Sequence, residues 1–311
     1  MTNTTTRVLV ATVAIPFILA GAFIGGVLWF AFVAILLYFA LDEFYRLASA
    51  KGAHPQKIAG FIASLFLLIV FFHERMLLTL QAVFSSMRLS FPQQWQFLMI
   101  LCVMIVLVLS MIELFRNKGS AILNLGTTML GICYLGLFFG CAVGLREIFS
   151  VSEFPVANYF GGVVLSDIQT SQLHHWGGYT MCAILTTIWI CDTAAFFGGK
   201  ALGKHPLFAR VSPKKTWEGA IFGFVFSVLW MLLMQFLFLP YLAVIHAFVI
   251  GVIIGTVGQV GDLIESLMKR DAQIKDSSAK IPGHGGVFDR FDSLLFVAPA
   301  LYLYVDFIVF A

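Results

Sequence analysis

The run VLVATVAIPFILAGAFIGGVLWFAFVAILLYFAL, Val8 to Leu41, contains no charged residue. As one straight helix it would reach about 50 Å at 1.5 Å per residue, against roughly 30 Å of hydrocarbon in a bilayer. Two shorter helical legs broken near Gly25-Gly26 fit that thickness better. Further apolar runs follow at about 58–72, 96–114, 121–145, 177–197, 217–239, 242–261 and 293–311, which predicts nine spans. The backbone must satisfy its own hydrogen bonds within each segment, so the expected fold is an all-α polytopic membrane protein.

Composition agrees. The 311 residues are 60% hydrophobic and 11% charged, with a mean hydropathy of +0.95. Soluble domains sit near 45–50% apolar and about 25% charged. A net charge of +3 gives no argument for a nucleic-acid partner. Cys102, Cys133, Cys141, Cys182 and Cys191 all fall in apolar runs and read as small buried hydrophobes, without disulfide or zinc spacing. The first apolar run is too long for the core of a cleavable signal peptide, so none is expected. No internal repeat or separate soluble domain stands out. The chain reads as one integral-membrane domain, with residues 1–150 as helical scaffold and 177–311 carrying the chemistry.

Segment 42–57 reads as a polar loop and 74–95 as interfacial, while 146–176, with His174-His175, reads as loop. His54, His73 and His246 are isolated and read as structural or solvated. With a cytoplasmic N-terminus, the nine spans put every Lys and Arg except Arg75, Arg88 and Arg146 on the cytoplasmic face, as the positive-inside rule expects.

The charge is concentrated in GQVGDLIESLMKRDAQIKDSSAKIPGHGGVFDRFDS, Gly258 to Ser293, with six acidic and five basic residues. Gln259, Asp262, Ser266 and Lys269 are spaced by three, four and three, which stacks them on one helix face, with Glu265 on its flank. A carboxylate at the membrane edge needs a bound cation or a basic partner, and Lys269 and Arg270 are both available. The glycines around His284, Gly283, Gly285 and Gly286, allow close backbone approach to a ligand. Asp289 follows with Arg290 beside it and Lys275 upstream, while Asp292 or Ser293 could cap the last helix. Hard oxygen ligands from two elements among bases match magnesium shared with phosphates.

A second constellation is CDTAAFFGGKALGKHPLFARVSPKKTWEG, residues 191–219. Asp192 is an acid inside an apolar run, with Lys200 or Lys214 as its possible structural partners. Ser212-Pro213 has the form of an N-cap followed by proline, which would put Lys214 and Lys215 in the first helical turn as an anion site. Lys200, Lys204 and Arg210 read as topology-setting charge.

These residues resemble a known signature. Ser266-Leu-Met-Lys269-Arg270, four residues, Lys275-Asp276, then Pro282-Gly-His284-Gly285-Gly286-Val-Phe-Asp289-Arg290-Phe-Asp292 is similar to that of phosphatidate cytidylyltransferases, the CDP-diacylglycerol synthases. The Asp192 and Ser212-Pro-Lys-Lys-Thr-Trp-Glu218-Gly219 block resembles that family's other motif, although Phe196 and Lys200 stand where it more often has Tyr and Arg. The resemblance covers about the C-terminal 120 residues. It implies transfer of the cytidylyl group of CTP to phosphatidate, with release of pyrophosphate and Mg2+ at two divalent sites. It implies Asp262 and Asp289 as metal ligands. Lys214, Lys215, Lys269, Arg270, Lys275 and Arg290 become phosphate contacts, and Ser212, Ser266, Gly285 and Gly286 join the substrate site. Asp192 and His284 would line the pocket. It also implies a homodimer in a bacterial inner membrane, its site facing the cytoplasm. A CTP-dependent lipid kinase of the dolichol type shares part of the motif. A transporter using Asp192 and Asp262 would instead spread polar residues along several spans.

Overall fold

The computed structural model describes residues 3–73, 75–77, 93–150, 154–162, 164–274, 277–278 and 285–310, without the side chains of 3–10 and 157. The described residues are helical almost throughout. In order, α1 is Asn3–Ile24, α2 Gly26–Ala50, α3 Lys57–Phe71, α4 Gln94–Arg116 and α5 Ala121–Glu147. A short α6, Val156–Phe160, precedes α7, Asp167–Leu202. A two-stranded antiparallel hairpin follows, β1 Pro206–Phe208 and β2 Ser212–Thr216. The last three helices are α8 Trp217–Phe238, α9 Val244–Asp271 and α10 Phe288–Val309.

Seven of these helices are long and apolar enough to cross a membrane: α2, α4, α5, α7, α8, α9 and α10. The other two predicted spans correspond to the shorter apolar stretches Ala11–Ile24 and Lys57–Phe71. The first run breaks where expected. Gly25 has φ 67° and separates α1 from α2, a conformation that costs glycine little.

The buried core runs through the bundle, with Trp29 and Leu37 from α2, Leu68 from α3, Leu135 and Phe139 from α5, and Leu294, Leu295 and Leu301 from α10. A smaller cluster joins α3, α4 and α5 through Leu67, Leu109 and Ile132. Outward faces stay apolar, as at Met99, Val103 and Phe115 of α4. Lipid tails satisfy such a surface and water would not.

Several segments differ from their reading in the sequence. Residues 42–50 are the end of α2 rather than loop, because Glu43, Phe44, Tyr45 and Leu47 bury one face while Arg46 pairs with Asp42 one turn back. Helix α7 starts at Asp167, so His174 and His175 are helical. Ser166 and Gln169 form the capping box that starts it. At 36 residues it spans about 54 Å, far beyond one bilayer core. Most of segment 74–95 lies outside the described residues. Cys102 and Cys133 are exposed on outer helix faces instead of buried.

Connections alternate between the two ends of the bundle. At one end Arg146 meets the backbone of Ala22 and Phe23, and Glu147 accepts from the Gly26 N–H. At the other end Lys51, just past α2, pairs with Asp271 at the end of α9. This second end holds the charged signature.

Candidate functional site

The site is built on the last turns of α9. A π-helical segment, Ile254–Gly258, precedes the turn that carries Asp262, and such segments often sit beside functional residues. Asp262, Glu265 and Asp292 each bring a carboxylate oxygen within 4.8 Å of the others. The first two lie three apart on α9, and Asp292 comes from the second turn of α10. Three carboxylates this close repel one another unless positive charge or a bound proton offsets them.

Two lysines supply part of that positive charge. Lys215, on β2, forms an ion pair with Asp262. Ser266 donates to the other oxygen of Asp262 at 3.4 Å. Lys269 bridges Glu265 at 2.8 Å and Asp289 at 2.7 Å. Glu265 is 1% exposed, and its Oε1 has no hydrogen-bond partner. Asp192, on the accessible face of α7, lies within electrostatic reach of Asp262, Lys215 and Arg290.

Asp289 meets Lys269 through its Oδ1 and lies beside Glu265. Its Oδ2 accepts from the Ser277 N–H at 3.0 Å and the Gly286 N–H at 2.8 Å, and the Ser277 hydroxyl, whose one proton is shared with Glu43, lies 3.0 Å away. In this arrangement it holds Lys269 and the two ends of the signature loop, and is not one of the three clustered carboxylates.

The β-hairpin corrects the expected N-cap. Ser212 and Pro213 start a strand, so Lys214 and Lys215 precede α8 and do not occupy its first turn. Thr216 is the actual cap, accepting from the Gly219 N–H at 3.2 Å. Glu218 fastens the hairpin by accepting from the Lys204 N–H at 3.1 Å and contacting His205 Nδ1 at 2.6 Å. The extended backbone carries Lys215 across to α9. Arg270 donates to the Val211 carbonyl at 3.4 Å.

Asp262, Ser266, Lys269, Asp289 and Lys215 therefore come together, with Asp192 and Arg270 at the margin. Ser212 is half-buried, and Lys214 and Arg290 are open to solvent. Gly285 takes φ 83°. Lys275 and His284 lie outside the described residues. Asp292 does not cap α10, which begins at Phe288. Its carboxylate joins the cluster and accepts from the Ser293 N–H at 2.6 Å. Residue reasoning passed over Glu265 as a site residue, although its i+3 spacing from Asp262 was the available signal. It also missed Glu43, which no local pattern marks.

Residues 5–308 match the sequence profile of the cytidylyltransferase family. The chain belongs to the cytidylyltransferase family. A phosphatidate cytidylyltransferase of Synechocystis is 31% identical over 307 residues, covering 97% of this chain and 96% of its own. That of Staphylococcus saprophyticus is 30% identical over 295 residues, covering 95% and 96%. The one from Aquifex aeolicus is 43% identical over 125 residues, 40% of this chain and 46% of its own. As a cytidylyltransferase the chain is a CTP-dependent nucleotidyltransferase, with the acidic cluster at one end of a bundle of membrane-length helices.

Proposed function

We propose that this cytidylyltransferase transfers the cytidylyl group of CTP to phosphatidate, giving CDP-diacylglycerol and pyrophosphate for phospholipid synthesis. The observation that carries the reading is the Asp262–Glu265–Asp292 cluster between Lys215 and Lys269, with the buried Glu265 Oε1 unpartnered. A buried acceptor without a partner is costly. It fits a divalent cation, because all-oxygen donor sets suit magnesium. Asp262, Glu265 and Asp292 would hold the ion. When bound, magnesium supplies charge neutralisation for the triphosphate and for the departing pyrophosphate. A second ion at Asp289 would require that side chain to release Lys269.

The chain's own residues do the rest by positioning. A phosphate monoester is largely dianionic near neutral pH, so its oxygen needs no protein base to become a nucleophile. It attacks the α-phosphorus, and the bond from that phosphorus to the oxygen bridging to the β-phosphate breaks. The obstacle is repulsion between two polyanions. Lys215 and Lys269 lie within the cluster, Arg290 is within electrostatic reach of Asp192, and with Arg270 and Lys214 they would offset that repulsion. Asp289 keeps Lys269 in place, and Asp192 balances Lys215 and Arg290. The lipid enters sideways from the leaflet at this end of the bundle and CTP from the aqueous side, read as the cytoplasmic face of a bacterial inner membrane. The homodimer is part of the same reading.

Radiolabelled CTP tests it. Purified protein with phosphatidate and magnesium should move label from the α-phosphate into lipid, and γ-label into pyrophosphate. Transfer of γ-label to lipid would make the protein a lipid kinase instead.

A further inference from the structure

Glu43 sits on α2, in the part of the chain that carries none of the signature, and it is fully buried. Its Oε1 accepts from the Ser278 hydroxyl at 2.6 Å and the Val287 N–H at 3.3 Å. Its Oε2 accepts from the Ser277 hydroxyl at 2.9 Å and the Phe288 N–H at 2.9 Å. We infer that Glu43 is a positioning residue for cytidylyl transfer, clamping both ends of the signature loop so that Asp289 and Lys269 face the carboxylate cluster. The inference rests on the proposed reaction.

Burying a carboxylate is expensive unless hydrogen bonds replace its water. Here two hydroxyls and two backbone N–H groups do so, and bonds to a charged acceptor are the strong kind. The two N–H groups open α10, where the helix dipole favours an anion. The clamp continues inward. The Ser277 hydroxyl lies against both Glu43 and Asp289, and Asp289 holds Lys269, which holds Glu265. A hydrogen-bonded path thus joins α2 to the cluster. It also explains why residue 286 is glycine: a Cβ there would overlap the Ser277 hydroxyl and Glu43 Oε2.

The test uses the full-length protein in detergent or lipid nanodiscs, with E43Q, E43D and the loop-side pair S277A/S278A. Outer partners of metal-site residues cost 10- to 100-fold when lost. In E43Q, kcat should fall by about that factor while the KM for phosphatidate stays within about threefold. Amide exchange at Val287 and Phe288 should rise at least tenfold. E43D should recover part of both effects. Adding S277A to E43Q should cost little more, since both break one path. Wild-type kcat in E43Q, or unchanged exchange at those two amides, overturns the inference. If E43Q does not fold, S277A/S278A takes its place, and wild-type kcat in that pair would overturn the inference. An inactive wild type would sink the proposed reaction while leaving the exchange measurement to judge the clamp.

Discussion

Lys215 and Lys269 each hold one carboxylate of the cluster, and Asp292 receives only a backbone N–H from its neighbour among the described contacts. Acidic groups therefore outnumber the two lysines around Asp262, with Asp192 also near. This imbalance argues for a cation more directly than any single residue does. Asp262 is central because it faces both Lys215 and the other two acids. Asp262→Asn keeps the shape but removes a charge. It should lower kcat/KM by about 10³-fold, the several kcal/mol expected of metal-assisted charge stabilisation. The variant should still insert and fold. Normal magnesium-dependent turnover in a lipid-product assay would refute the ion-holding role.

At the scale of elements, the break between α1 and α2 is held from outside. Arg146, at the end of α5, is 1% exposed. Its Nε donates to the Ala22 carbonyl at 2.7 Å and its Nη2 to the Phe23 carbonyl at 2.8 Å, with His174 Nε2 3.2 Å away. These are carbonyls at the end of α1 that the helix itself leaves unpaired. Gly25 is needed here twice over, for its positive φ and because a Cβ would overlap the guanidinium. Hydrogen bonds to a charged group are worth about 1.5–3 kcal/mol each, so Arg146→Ala should destabilise the protein by about 3–5 kcal/mol. A thermal melt in detergent reads this as a clear drop in midpoint. Turnover per folded molecule should stay near wild type, because the change lies at the end of the bundle away from the cluster. An unchanged melt would mean the hairpin needs no latch.

Across the whole molecule, a bilayer-thick apolar bundle carries its chemistry at one end. Helices α2, α7, α9 and α10 and the β-hairpin meet there. The three clustered carboxylates come from two successive helices, α9 and α10, and meet only where those helices pack together, so the site exists only in the folded bundle. Bound metal should then stabilise the fold as well as activate it. Ligand at 100 times its Kd adds about 2.7 kcal/mol. Chelation should abolish turnover and lower the unfolding midpoint, and magnesium should restore both. Full activity in excess chelator would remove the metal from the mechanism.

The membrane fold was legible from the apolar runs alone, because a bilayer imposes length and hydropathy on each segment separately. Gly25 as the break followed from the length of the first apolar run, and Asp262, Ser266 and Lys269 on one face from helical spacing, both equally local. Three features did not follow. Residues 42–50 extend α2 because their buried face finds neighbours that sequence does not name. Lys214 and Lys215 lie on a strand, since pairing with Pro206–Phe208 outweighed the Ser-Pro cap pattern. Glu43 meets Phe288 across 245 positions of chain. The amino-acid order determined which residues could bear charge and metal. Tertiary packing alone decided which carboxylates stand together, because hydrogen bonds and repulsion act over a few ångströms of space, whatever the separation along the chain.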